Sequence, residues 1–396
     1  DGLDAPDPPT DVTPTAGDTQ LSIAFTAPTD TGTSAITGFV VQVSTNGTDY
    51  SAGSNTGSSS PIVVSSLTNG TAYTAKVWAI NAYGTSAPSD ASDSVTPAIP
   101  PLTGNIAIFS GGGANIGAQG ATLQYVTITS TGNAANFGSL STGLGRLASC
   151  SSSTRGIFVG GYTDSFSAVN TISYVTIANR ANAQSFGSLT GTRQALSAAS
   201  NNTRGIFFGG AATVNGTAIN NIEYITIGST GNGTDFGDLG TTAKWSAAAA
   251  STSRALKLGG YSSSRINTIE YVTIGSTGNG SDFGDLSSVR NSLAACSSST
   301  RAVTGGGNAR TNVMDYVTIS STGNASDFGD LEVATENLSG TSNATRGLFA
   351  GGQADSGSLN TIQYITIGST GNTTDFGDLD AARPSLAACS NSHGGI

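Results

Sequence analysis

The sequence predicts an all-β protein, a β-sandwich followed by a six-bladed β-propeller that its own C-terminal strand closes. Three observations carry this reading. Residues 1–97 hold short runs of alternating apolar and polar side chains, separated by turn signals. Pro97, Pro100 and Pro101 then mark a short, stiff, extended linker over residues 98–104. From residue 105 to residue 396 one pattern recurs six times at intervals of 45–50 residues, each copy holding four strand-like stretches.

In the first segment, Leu21-Ser-Ile-Ala-Phe25, Gly38-Phe-Val-Val-Gln-Val43 and Tyr73-Thr-Ala-Lys-Val-Trp-Ala-Ile80 each have one apolar face. Pro28-Thr-Asp30, Asn46-Gly47 and Asn69-Gly70 supply turns between such runs. Strands at this spacing predict a sandwich. Ser44-Thr-Asn-Gly-Thr-Asp-Tyr50 reads as one of its hairpin turns. The stretch from Pro6 to Pro97 resembles a fibronectin type III domain. The features are Pro8-Pro9 at the start, Phe25 in place of a core Trp, Gly38-Phe39 for Gly-Tyr, and Leu67 with Tyr73 at a tyrosine corner. Ala79-Ile-Asn81 and Gly84-Thr-Ser-Ala-Pro-Ser89 match the closing strand pair. The resemblance implies a spacer or adhesive module without chemistry.

The repeats are anchored by Tyr-(Val/Ile)-Thr-Ile at Tyr125, Tyr174, Tyr224, Tyr271, Tyr316 and Tyr364. Phe-Gly follows at Phe137, Phe186, Phe236, Phe283, Phe328 and Phe376. Next comes an apolar Leu at 147, 196, 293, 338 and 386, with Ser246 as the exception. An Arg then opens a strand ending in Gly-Gly, as in Arg155-Gly-Ile-Phe-Val-Gly-Gly161. Each copy resembles a kelch repeat, with Phe for the usual Trp and no His before the small-residue strand. The first copy begins at its Gly-Gly strand, Asn105–Gly111, and the chain ends on a small-residue strand, Ser385-Leu-Ala-Ala-Cys-Ser390. That phase predicts that residues 385–390 form the innermost strand of the first blade, removing the exposed edge and completing the ring. The chain begins at Asp1 rather than Met, which reads as processing or as a piece of a longer chain.

Composition narrows the chemistry. Charged residues make up 10% of the chain, the net charge is −10, and there are one His and three Cys. An acidic chain argues against binding nucleic acid or an anionic membrane. No run of about 18 apolar residues is present, so no membrane insertion is expected. Copper sites of the galactose-oxidase type need two His, and sialidase-like sites need an Arg triad with Tyr and Glu. Glu is scarce in the repeats, occurring at Glu223, Glu270, Glu332 and Glu336. No catalytic residue, metal site or cofactor is expected.

Several recurring residues carry structural expectations. Arg155, Arg204, Arg254, Arg301 and Arg346 should tie neighbouring blades through carbonyls or carboxylates. Arg146, Arg193, Arg290 and Arg383, with Lys244 in a related place, precede the innermost strands, where they either ring a channel mouth or tie blades. Asp-Phe-Gly-Asp at 235–238, 282–285, 327–330 and 375–378 reads as turn capping that pairs with the first Arg set. Cys150, Cys296 and Cys389 share one inner-strand position and read as buried, inert thiols, while His393 reads as an exposed residue of a terminal turn. Asn-x-Ser/Thr sites such as Asn46, Asn69, Asn215, Asn232, Asn279 and Asn372 read as turn chemistry.

The length variation falls between the Gly-Gly pair and the Tyr, where insertions are tolerated and loops carry function. These loops share a face with the connections between blades. The candidate ligand-binding residues are therefore Tyr162, Phe166, Asn215, Tyr261, Arg265, Arg310, Gln353 and Asp355, helped by Arg193, Trp245 and Arg290. Aromatic rings stack on sugar faces, and Arg donates to hydroxyls or carboxylates. The repeat consensus resembles kelch-like virion proteins of tailed marine phages. That resemblance implies a non-enzymatic tail-fibre, spike or capsid-decoration protein. Its partners would be other virion or surface-assembly proteins and a host-surface polysaccharide, and its location extracellular. The alternatives are a secreted or surface-anchored bacterial adhesin and a carbohydrate-active enzyme.

Overall fold

The computed structural model describes residues 3–113, 116, 117 and 119–396. The chain divides into two compact units, Asp1–Pro101 and Leu102–Ile396. Both are built from strands, and no described helix is long and apolar enough to cross a membrane.

The first unit has two three-stranded antiparallel sheets. One joins Thr10–Gly17, Gln20–Thr26 and Ile62–Val64, and the other joins Ala52–Gly57, Gly38–Ser44 and Thr74–Ile80. Alternation sends Leu21, Ile23 and Phe25 from one sheet, and Phe39, Val41, Val43, Ala75, Val77 and Ala79 from the other, into one core. Phe25 meets Phe39 with ring centroids 4.7 Å apart. The buried Tyr73 hydroxyl accepts the amide of Thr68 at 3.2 Å, so the expected corner is formed. Asn46 Oδ1 caps its own turn by accepting the amides of Thr48 and Asp49. The closing strand differs from expectation. Ser86, Ser89 and Ser92 recur every third residue, and their hydroxyls accept the amides of Ala79, Val77 and Ala75 at 2.9–3.0 Å. Side-chain oxygens thus replace part of a backbone ladder, and no regular strand forms there.

The second unit has six four-stranded antiparallel sheets, whose strands are termed inner, second, third and outer. Sheet one is Ala387–Ser390, Ile106–Ser110, Thr122–Thr127 and Ala135–Ser139. Sheet two is Ala148–Ser151, Arg155–Val159, Thr171–Thr176 and Gln184–Ser188; sheet three is Ser197–Ser200, Arg204–Phe208, Asn221–Thr226 and Thr234–Asp238. Sheet four is Ala247–Ala250, Arg254–Tyr261, Arg265–Thr273 and Ser281–Asp285. Sheet five is Ala294–Ser297, Arg301–Gly305, Val313–Thr318 and Ser326–Asp330; sheet six is Ser339–Ser342, Arg346–Ala350, Thr361–Thr366 and Thr374–Asp378. The C-terminal strand pairs antiparallel with Ile106–Ser110, placing Cys389 opposite Ile108.

Six apolar clusters hold these sheets, and each is shared by two consecutive sheets. One, for example, packs Ile108, Leu123 and Phe137 of sheet one on Phe158, Val175 and Ile177 of the sheet-two segment. Another joins the sixth sheet to the first through Leu348, Ile362 and Phe376 against Ala107, Phe109 and Val126. The small inner-strand residues are matched in size across four of the junctions. Cys150 meets Gly205 and Cys296 meets Gly347, whereas Ala199 and Ala249 share clusters with Ala255 and Ala302. Burial lifts all three thiols far above their usual range, that of Cys389 to about 12, which keeps them protonated.

The repeat signature is used between sheets. Arg155, Arg204, Arg254, Arg301 and Arg346 each donate to an Ile carbonyl of the next sheet at 2.8–3.0 Å. Each guanidinium also lies 4.3–4.8 Å from the centroid of its own sheet's Tyr. These arginines do not pair with the Asp-Phe-Gly-Asp carboxylates, contrary to expectation, because the guanidinium is already held between ring and carbonyl. Asp-Phe-Gly-Asp lies in the outer strand rather than in a turn, and it offers its last amide to an Asn of the next sheet. Asp238 donates to Asn279, Asp285 to Asn324 and Asp330 to Asn372, all at 3.0 Å.

Candidate binding site

The residue just ahead of each inner-strand apolar position is the starting point. Arg146, Ala195, Trp245, Ser292, Asn337 and Ser385 all adopt left-handed backbone conformations with φ of 52–62°. Each amide donates to the carbonyl of the preceding residue in this series, and Arg146 donates to Ser385, at 2.7–3.1 Å. The six bonds close on themselves. They frame a cavity of about 80 Å³ floored by Leu147, Leu196, Ser246, Leu293, Leu338 and Leu386. The inner strands continue around further cavities of about 130 and 50 Å³.

The other end of the inner strands carries a second set of bonds. Ser151 donates its hydroxyl to the carbonyl of Ser390, Ser200 to Ser151, Ser297 to Ala250, Ser342 to Ser297 and Ser390 to Ser342. Ala250 breaks the series, having no hydroxyl to offer Ser200. The terminal tail lies there. His393 Nε2 is 3.2 Å from both the Ser200 hydroxyl and the Ser151 carbonyl, and Gly394 donates its amide to Ser297. A β-carbon on Gly394 would strike the Ser298 carbonyl, and one on Gly395 the Ser200 carbonyl. His393 is therefore part of a plug rather than an exposed turn residue. Burial lowers its pKa to about 4, so it is neutral near pH 7.

The framed mouth is chemically lopsided. The Arg146 guanidinium lies 5.6 Å from the Tyr162 ring centroid and 5.3 Å from that of Trp245. It can reach Trp245 because Ala195, between them in the series, carries only a methyl. Trp245 meets Tyr261 edge-on at 5.7 Å, and Lys244 Nζ lies 4.4 Å from the Trp245 ring. Phe166 stacks on Tyr162 at 5.8 Å and is 69% exposed. Burial, and then repulsion from Arg146, lower the pKa of Lys244. Lys244 donates to the carbonyl of Gly216, beside the exposed Asn215. On the opposite side Arg310 is bound to Asp355 at 2.6 Å and to Glu336 at 3.5 Å.

Backbone bridges place the variable loops against the inter-sheet connections: Gly145 pairs with Tyr162, Gln194 with Ala211, Lys244 with Tyr261, and Glu336 with Gln353. Tyr162, Phe166, Trp245 and Tyr261 thus gather into one patch. Arg265 is exposed beside Tyr261, its strand-register partner. Gln353 accepts the Ser358 hydroxyl, and Arg310 and Asp355 neutralise each other.

Arg193 and Arg290 do not belong to the patch. They are 3% and 2% exposed, and each is bonded to a buried acid, Glu223 and Asp315 respectively. The sequence reading grouped them with Arg146, but Arg193, Arg290 and Arg383 stand three residues before the apolar position, whereas Arg146 stands one before it. Two residues of offset separate a buried tie from the cavity mouth. Sequence reasoning also missed the buried Lys257–Glu270 pair, 3.7 Å apart. The signal was legible. Lys257 stands where other copies have Phe158, Phe207 or Phe349, directly across the ladder from Glu270.

Residues 7–95 match the family described as the fibronectin type III domain. The first unit is a fibronectin type III domain. The match ends at residue 95, before the second unit, and no curated protein matches the chain. The candidate site thus lies outside the fibronectin domain.

Proposed function

We propose that the second unit is a kelch-like six-bladed β-propeller closed by the C-terminal strand, and that the protein is a non-enzymatic structural or adhesive component of an extracellular assembly. The assembly we favour is the virion of a tailed phage, with the protein as tail fibre, spike or capsid decoration. It engages a surface glycan or a neighbouring virion protein through the face carrying the variable loops. One observation carries the binding reading. Aromatic and cationic side chains from several sheets converge at one cavity mouth, while the other recurring arginines are held in contacts within or between sheets. The cycle of six backbone bonds, together with the cluster joining the sixth sheet to the first, supports the closed ring. Antibody labelling of the source material under the electron microscope tests the assembly. Label on phage particles supports the proposal; label confined to a bacterial envelope favours the adhesin.

A further inference from the structure

We infer that the Arg146–Trp245 side of the mouth binds the carboxylate of a terminal uronic acid, with the sugar ring resting on the adjoining aromatic patch. This rests on the glycan-binding reading above and names the charge of the ligand. The first support is electrostatic. Arg146 lines the cavity beside Trp245, Lys244 lies on the same ring with its Nζ donated to the Gly216 carbonyl, and no acidic side chain lines the cavity among the described residues. The guanidinium makes no hydrogen bond or ion pair among the described residues, and its buried Nε is without a partner. In a chain of net charge −10 with only 15 Lys and Arg, this leaves the Arg146 charge without an acidic partner on the cavity wall. An oxyanion satisfies it, and Arg presents donors spaced for a carboxylate.

The second support is conformational and independent of charge. All six framing positions need positive φ, which Asn tolerates well and bulky residues poorly. Asn337 shows the inexpensive solution, yet Trp245 and Arg146 are held in the same strained geometry. Of the six framing residues these two alone are large, and keeping a large side chain at a strained position points to a use for it. Position supplies the last constraint. Arg146 lines the cavity beside Trp245, while the stacked Tyr162 and exposed Phe166 lie outside its lining on the Arg146 side, so a carboxylate at the guanidinium leaves its ring on those aromatic faces. A chain end can enter in this way, whereas a mid-chain unit would meet the rim with both linkages.

The test is calorimetric titration of the full chain with three trisaccharides: one ending in glucuronic acid, its carboxyl-reduced counterpart ending in glucose, and a sulfated counterpart. Arg146→Asn and Trp245→Ser place at these positions residues that the ring already carries at Asn337 and Ser292, so the fold is expected to survive. The acid should bind at least tenfold more tightly than the reduced sugar and weaken with added salt. Arg146→Asn should abolish that preference, and Trp245→Ser should weaken both sugars. Tighter binding of the sulfate than of the acid overturns the carboxylate assignment. Equal binding of acid and reduced sugar, or an unchanged preference in Arg146→Asn, overturns the inference but leaves glycan binding standing. No binding of any trisaccharide at millimolar concentration overturns both and leaves a protein neighbour as the ligand.

Discussion

Replacing Gly205 by Ala probes how consecutive sheets are fitted together. An added β-carbon would lie 2.7 Å from Cys150 Sγ, closer than van der Waals contact allows. Gly205 lies in a regular strand outside the positive-φ set, so its backbone accepts Ala without strain. Overpacking a tight core costs about 1–3 kcal/mol, against which the stiffer unfolded chain returns about 0.4–1 kcal/mol. Gly205→Ala should therefore destabilise the second unit by about 1–2 kcal/mol. Cys150→Ala alone empties the sulfur's place and should cost about 1 kcal/mol. The double variant recreates the Ala199–Ala255 fit of the next junction and should lie within about 0.5 kcal/mol of wild type. The coupling, about 2 kcal/mol, is read from urea unfolding of the four proteins. Additive effects would refute the claim that these two sheets meet through this pair.

Three further outcomes follow from the same contacts. Lys257→Met leaves the buried Glu270 carboxylate with only the amides of Gly240 and Thr241 and should cost about 2–3 kcal/mol; Lys257→Phe with Glu270→Gln, copying Phe349 and Gln363 of sheet six, should recover most of it in thermal melts. His393 has a folded pKa of about 4, below its unfolded value of about 6.5, so its contribution is full above pH 6.5 and lost as pH falls toward 4. Stability measured from pH 7 to pH 4 should fall by up to about 3 kcal/mol more in wild type than in His393→Gln; parallel curves would contradict the plug. Cys150, Cys296 and Cys389 should resist a thiol reagent at pH 8 until urea unfolds the second unit, since burial keeps them protonated; rapid labelling of the native protein would count against this packing.

The strands were legible because alternation and the Tyr, Phe and Arg anchors recur at fixed spacing, and the fibronectin resemblance was carried by side chains such as Phe25 and Tyr73 that do enter its core. Tyr162, Phe166 and Tyr261 were found because length variation and aromatic residues coincide there, and Trp245 because it stands on a connection between sheets expected on the same face. What escaped depends on partners distant in sequence. Nothing local distinguishes Arg193, buried on Glu223, from Arg146, flanked by two rings, until their offsets from the inner strand are compared. His393 belongs to the plug through Ser151 and Ser200, a relation that no periodicity encodes. The three-residue serine pattern at Ser86, Ser89 and Ser92 reads as loop by composition, although it supplies bonds along a sheet edge.

The central claim, a closed ring of six sheets framing a single mouth, is tested most directly by native-state hydrogen exchange. The amides of Arg146, Ala195, Trp245, Ser292, Asn337 and Ser385 form one cycle of bonds, completed by the chain's C-terminal segment. The account predicts that all six exchange only through global unfolding of the second unit, with protection equal to that of the strand Ile206–Phe208. It also predicts that deleting residues 384–396, which removes Ser385 itself, brings the remaining five down together. Fast exchange at Arg146 and Ser385 in the intact protein, with slow exchange at the other four, would show a ring open at that junction and would contradict the claim.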